Sequence, residues 1–244
     1  MKRRIYLLAT SILIVVGIMS CTKEEVATSN PEYGTMTDIQ GNTYKTVKIG
    51  NQWWMAENLK VTVFTDNTPI AHLSDKDPDS LWANTTKPAY CIYDTTLGAL
   101  YNWKVINWKV IDDIKIIAPK GWHIPSDEEW KTLEKTLGME TAESEKTAWR
   151  GSAEADKLLT KYKAPTESEL YAFGTNESGF SGLFAGCRLF SGAINQEKNT
   201  AFWWSSTPFT GNEAWYRYID ANQKKIFRQH TYTNYGFSIR CIKD

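Results

Sequence analysis

The sequence predicts an α+β domain: loop-rich antiparallel β-sheets with one well-defined helix and a second, shorter one. Three observations point to it. Short runs rich in β-branched and aromatic residues, bounded by turn residues, occupy both ends of the folded part. One central segment, "PSDEEWKTLEKTLG", carries the start, the apolar stripe and the stop of an amphipathic helix. The order is β, then helix, then β, which suits an α+β domain better than alternating βαβ units.

Taken in order, "DIQGNTYKTVKIG" reads as a hairpin turning at Gly41-Asn42, and "QWWMAENL" continues it. Successive side chains of a strand point to opposite faces, so at most one of Trp53 and Trp54 is expected in the core. The same holds for Trp203 and Trp204. "VTVFTD" and "PAYCIYD" are further strand candidates. In the helix, Ser126 caps the N-terminus and Glu129 completes a capping box. Asp127 and Glu128 suit the positive end of the dipole. Trp130, Leu133 and Leu137 form one apolar stripe, and Gly138 supplies the stop. The second helical stretch is expected within Thr141–Tyr162, with Ala153, Leu158 and Leu159 as a weak apolar face and Pro165 limiting its end. "SGLFAGCRLFSGAI", "AFWWSSTP", "EAWYRYID", "KKIFRQHT" and "GFSIRCIKD" complete a β meander.

"NWKVINWKVI", Asn102 to Ile111, is a tandem five-residue repeat. Five is odd, so in one straight strand the second copy faces the other way. In a helix the copies are offset by about 140°. Trp103 and Trp108 therefore cannot share equivalent environments, and one copy is expected to be an insertion in a loop or strand end.

The N-terminus reads as a targeting segment over residues 1–20. Lys2, Arg3 and Arg4 precede a mostly apolar run from Ile5 to Met19, which is shorter than the roughly 20 residues of a membrane-spanning helix. "GIMSC" then resembles a lipobox, with Cys21 as the acylated residue. "TKEE" behind it resembles the surface-export signal of Bacteroidota lipoproteins. These resemblances imply an outer-membrane lipoprotein, exposed at the surface and held to the membrane by lipid on Cys21. Residues 21–34 are polar, contain Pro31 and read as a flexible tether, leaving residues 35–244 as the domain. That length makes one domain with a real core, or two small ones.

The chain balances 28 basic against 28 acidic residues, and loss of the targeting segment removes three basic ones. A mildly acidic remainder argues against nucleic acid as a partner, because phosphate neutralisation needs basic patches. Cys91, Cys187 and Cys241 remain if Cys21 carries lipid, so at most one internal disulfide can form. The chain has no CxxC, and His72, His123 and His230 lack ligand spacing, so no metal site and no cofactor is expected. Asp75, Asp77 and Asp79 alternate as calcium ligands can. They lack the turn glycine and terminal Glu of an EF-hand, which favours a solvated acidic loop.

"IQGNTYKTVKIGNQWWMAENLKVT", "LGALYNW", "PKGWHIPSDEEWKTLE", "TNESGFSGL", "WWSSTP", "AWYRYI" and "GFSIRCIKD" occur in this order. Together they resemble the Fibrobacter succinogenes major paralogous domain family from about Thr35 to the end. Its members are mostly exported lipoproteins of uncharacterised function. The family usually has Cys where Ala118 stands, which would be a natural partner for Cys241. It usually has an aromatic where Cys187 stands, so a Cys187–Cys241 disulfide is the pairing the resemblance leaves open. "GWHIPSDEEW" and "GFSIRC" more remotely resemble C-type-lectin-like and sulfatase-modifying-factor folds, which implies a C-type-lectin-like architecture.

These readings make a non-catalytic, surface-displayed binding module the leading expectation, with a glycan or protein as ligand. Trp204, Trp215 and Tyr216 are the candidate ligand-binding aromatics, because exposed flat rings stack on sugars or protein surfaces. A structural surface lipoprotein without a specific ligand is the second reading. An enzyme of the sulfatase-modifying type, using Cys187 and Cys241, is the third. "WWSSTP" offers Ser205 and Ser206 without His or Asp at any known spacing or a G-x-S-x-G elbow, so no catalytic residue is expected.

Overall fold

The computed structural model describes residues 31–163, 172–195 and 199–244. The targeting segment, the lipid cysteine, most of the tether and the boundary at Pro165 lie outside them.

Chain-local chemistry sets the first hairpin. The strands Glu32–Thr37 and Thr43–Ile49 pair antiparallel. Between them the Asp38 carboxylate accepts from the backbone N–H groups of Gln40 and Asn42, and Gly41 takes φ 82°. That dihedral favours glycine. The first described strand thus starts at Glu32, inside the stretch read as tether. This polar strand is defined by backbone pairing, which composition does not reveal.

The hairpin continues into a five-stranded antiparallel sheet: Glu32–Thr37, Thr43–Ile49, Gln52–Met55, Ile242–Lys243 and Trp122–His123. The C-terminal strand therefore closes back on the beginning of the domain. A second antiparallel sheet runs Ala148–Arg150, Ile226–Tyr232, Glu213–Asp220, Thr200–Pro208. A third joins short strands around Cys187–Arg188, Gly236–Phe237, Leu100–Asn102 and Ala89–Cys91. The "VTVFTD" stretch contributes an isolated bridge, Val63 to Pro69, in place of a full strand.

Four α-helices lie among the described residues. The long one, Asp127–Thr136, is built as its sequence dictates. Ser126 and Glu129 form the reciprocal capping box. At the other end Gly138, at φ 111°, donates to the Lys135 carbonyl and Met139 donates to the Glu134 carbonyl, a Schellman closure. The expected second helix is two short ones, Thr141–Ser144 and Glu154–Leu158, separated by the strand Ala148–Arg150. The remaining helix, Asp79–Ala83, follows the acidic loop and buries Trp82.

Two large hydrophobic cores lie on opposite sides of shared strands. Tyr44, Met55, Trp204, Phe237 and Cys241 belong to one. Val47, Trp54, Trp130, Leu133 and Trp203 belong to the other. Trp54 is enclosed and Trp53 is half-buried, as alternation requires. The expectation fails for the second pair: both Trp203 and Trp204 are buried. Alternation still holds, but each face of that strand meets its own core. Trp203 donates to Asn58 Oδ1 at 3.1 Å, and Trp204 donates to the Tyr101 carbonyl at 2.8 Å.

Charged groups join these cores. Between the helix and the second sheet, Arg217 reaches Asp127 at 2.7 Å and Glu134 at 2.6 Å. Arg150 also holds Glu134, and Arg228 holds Asp127. Every one of these side chains is buried or nearly so, and the pairing is what makes their burial tolerable.

Candidate functional site

The second sheet presents a row of aromatic rings on one face. Trp149 stands directly across from Phe227, Phe227 from Tyr218, and Tyr218 from Phe202. The side-chain period of two puts cross-strand partners on the same face. Ring contacts confirm it: 5.1 Å for Trp149–Phe227, 5.8 Å for Phe227–Tyr218 and 4.5 Å for Tyr218–Phe202. Trp149 also leans to within 5.2 Å of Tyr218. All four rings are half-buried, so each keeps part of its surface in solvent.

Tyr216 lies beside this row, stacked 6.3 Å from Phe202, and it is half-buried too. Its burial pushes the phenol pKa up to about 12, so it stays a neutral donor. Gln229, directly across from Tyr216, adds an amide to the same face. At the far end Tyr218 Oη donates to Asp220 Oδ2 at 3.0 Å, and Asn222 flanks that carboxylate at 2.9 Å. Flat apolar rings bordered by amide, hydroxyl and carboxylate groups stack on flat ligands and hydrogen-bond their rims.

The structure separates the three aromatic candidates. Tyr216 joins the row. Trp204 corrects the expectation: it stands on the same face, directly across from Tyr216, but is enclosed against Phe237 and offers no surface to a ligand. Trp215 is half-buried among other residues: Phe209 at 5.3 Å, His230 at 5.4 Å and the Arg228 guanidinium at 3.9 Å. His230 there contacts Glu213 at 2.5 Å. Trp149, Phe202, Tyr218 and Phe227 were not singled out from sequence. Trp149 fell in a stretch read as helix. Phe202, Tyr218 and Phe227 sit at matching positions of three predicted strands, and correct strand registers would have revealed them.

The cysteines are placed as core groups. Cys91, Cys187 and Cys241 are all buried, and Cys187 and Cys241 lie in the same hydrophobic core. Burial pushes the Cys241 thiol well above its ordinary value, opposite to an activated thiolate. In the acidic loop Asp77 accepts from the Ser74 N–H and hydroxyl, so its carboxylate closes a turn. No group of three metal-ligating side chains occurs among the described residues.

His123 links two parts of the chain. Its Nδ1 contacts Asp244 Oδ1 at 2.6 Å and its Nε2 contacts Glu129 Oε1 at 2.8 Å. Partial burial works against its charged form, but the bonds to Asp244 and Glu129 outweigh it and raise the pKa.

Residues 47–243 match the Fibrobacter succinogenes major domain. No curated protein and no solved structure matches the chain.

Proposed function

The chain belongs to the Fibrobacter succinogenes major domain family, and from that premise we propose that it is a non-catalytic binding module for glycan chains. The observation that carries this is the cross-strand row Trp149–Phe227–Tyr218–Phe202 with Tyr216 beside it. Strands lie about 4.8 Å apart, so four of them underlie a platform about 14 Å wide. That breadth suits consecutive sugar rings of a chain better than one small molecule. Sugar rings have apolar faces for stacking and hydroxyl rims for Gln229, Tyr216 and Asp220.

The setting we propose is an outer-membrane lipoprotein displayed at the cell surface through lipid on Cys21. The architecture we propose is C-type-lectin-like. Supporting it are the antiparallel, loop-rich sheets and the C-terminal strand that returns to Gln52–Met55. A sulfatase-modifying activity draws no support from Cys187 and Cys241, which lie in the same hydrophobic core.

The test is a broad glycan array, with calcium and with chelator, followed by titration of any hit. Tyr218→Ala and Phe227→Ala should each weaken binding about tenfold, the equivalent of one lost stacking contact of about 1.4 kcal/mol. Trp215→Ala, on the other cluster, should leave it unchanged. A blank array from folded protein would remove the glycan reading in favour of a structural role.

A further inference from the structure

A groove of about 570 Å³ opens at the Trp122–His123 edge of the five-stranded sheet. It is lined by the turn after the first strand, by Thr65, by Ile116, by Ala118 to Trp122 and by Asp244. That volume falls within the range of small-molecule sites.

Its walls are mainly apolar. Ile39 and Ile116 face solvent at 49% and 54% exposure, with Pro119 and half-buried Trp122 between them. Single exposed hydrophobics need no explanation, but a concentration of them does.

The polar groups differ in what they have left to offer. Asp38 is consumed: it accepts from Tyr44 Oη at 2.7 Å, from Asn42 Nδ2 and from two backbone N–H groups. Asp244 is engaged by His123. Lys120 is exposed and enters no ion pair among the described residues. The charge available to a visitor is therefore an ammonium beside an aliphatic wall.

We propose that this groove is a second binding site, for a small amphiphile with an aliphatic body and one carboxylate. The body lies on Ile39, Ile116 and Trp122, and the carboxylate meets Lys120. Asp244 adjoins the same end of the groove, its N–H donating to the Gly121 carbonyl, and its carboxylate is held by His123. The site is independent of the glycan reading, since it shares no residue with the aromatic row.

The experiment is titration calorimetry of the purified chain with octanoate and with octanol. Octanoate should bind saturably. Lys120→Glu should weaken octanoate about tenfold or more and leave octanol unchanged, as expected for loss of one charge-assisted contact. Ile116→Asp should abolish both, and Lys87→Glu, at an exposed lysine away from the groove, should change neither. All three positions are on the surface, and a thermal melt of each variant confirms folding. No saturable octanoate binding, or equal octanoate binding by wild type and Lys120→Glu, overturns the proposal. So does a dimer that Ile116→Asp dissociates and octanoate does not, because a second copy then fills the groove.

Discussion

Trp103 and Trp108 are the same residue in two copies of one five-residue unit, and the fold treats them oppositely. Trp103 is buried in the core and donates to the Ser205 carbonyl at 2.7 Å. Trp108 is half-buried at the base of a small hairpin, Lys109–Val110 paired with Asp113–Ile114. Val105 is enclosed, whereas its counterpart Val110 is exposed. Ile111, 88% exposed, sits at φ 57°, a dihedral unfavourable for a β-branched residue. The first copy holds the fold and the second is an outgrowth. Deleting Asn107–Ile111 should leave unfolding cooperative and cost no more than about 1–2 kcal/mol, mostly from lost Trp108 packing. Calorimetry decides it: a broad transition, or a fall in Tm beyond about 10 °C, would show that the outgrowth supports the core.

Asp127 gives the fold an acid limit. Burial alone would raise its carboxyl pKa, but the Arg228 and Arg217 guanidiniums outweigh burial and hold it at about 2, against an ordinary 3.8. A depressed carboxylate contributes stability above its unfolded pKa and loses it as pH falls toward the folded value. The contribution is roughly 2 kcal/mol, lost between about pH 4 and pH 2. Asp127→Asn should cost on the order of 3–5 kcal/mol at neutral pH, because Arg217 and Arg228 then remain buried with a missing counter-charge. Denaturant titrations at neutral and acid pH check both statements. A variant as stable as wild type at pH 7 would refute the charge argument.

His123 acts in the opposite sense. Its pKa is raised in the folded state, so its contribution is complete below its ordinary value of 6.5. It is lost as pH rises through the higher folded value. The wild-type Tm should therefore decline as pH rises above about 6.5, relative to a His123→Gln variant that cannot titrate. Parallel melts across that range measure the difference, and two curves of identical slope would exclude a titrating His123. The groups facing the imidazole are Glu129, from the helix cap, and Asp244, from the end of the last strand.

Much of the fold was legible, and the misses share a cause. The capping box at Ser126 and the turn at Gly41 are local devices, read from a few consecutive residues. Alternation in "QWWM" correctly limited the core to one of the two tryptophans, and the structure makes it Trp54. The same rule misjudged Trp204, because a strand with a core on each face buries both neighbours, and one strand cannot announce what covers its second face. Arg150, Arg217 and Arg240 are among the most buried side chains. The partners of Arg217 and Arg240 lie far away in sequence, Glu134 and Asp127 for the one and Asn58 and Ser181 for the other. The aromatic row shows the same limit. Phe202, Tyr218 and Phe227 are visible singly, and only strand register turns them into one surface.

Arg240 is the most exacting of these buried cations, because no carboxylate among the described residues contacts it. Its fork donates to Asn58 Oδ1 at 2.9 Å, to the Ser181 carbonyl at 2.8 Å and to the carbonyls of Phe180 and Met55. The guanidinium also lies 4.2 Å over the Phe180 ring. These acceptors come from two separate stretches of chain, so Arg240 ties the "GFSIRC" segment to the "MAENL" and "SGFSG" loops. Lysine keeps the charge but presents a compact ammonium with three donors, which cannot span the same acceptors. Arg240→Lys should therefore destabilise the domain by about 3 kcal/mol or more, and Arg240→Met by a similar amount, through carbonyls left without donors. Asn58 shares the load, since its Oδ1 also accepts from Trp203 Nε1. A double-mutant cycle of Asn58→Ala with Arg240→Met should give a coupling energy above about 1 kcal/mol. Additive losses, or near-wild-type stability of Arg240→Lys, would show that packing rather than the guanidinium fork holds these loops.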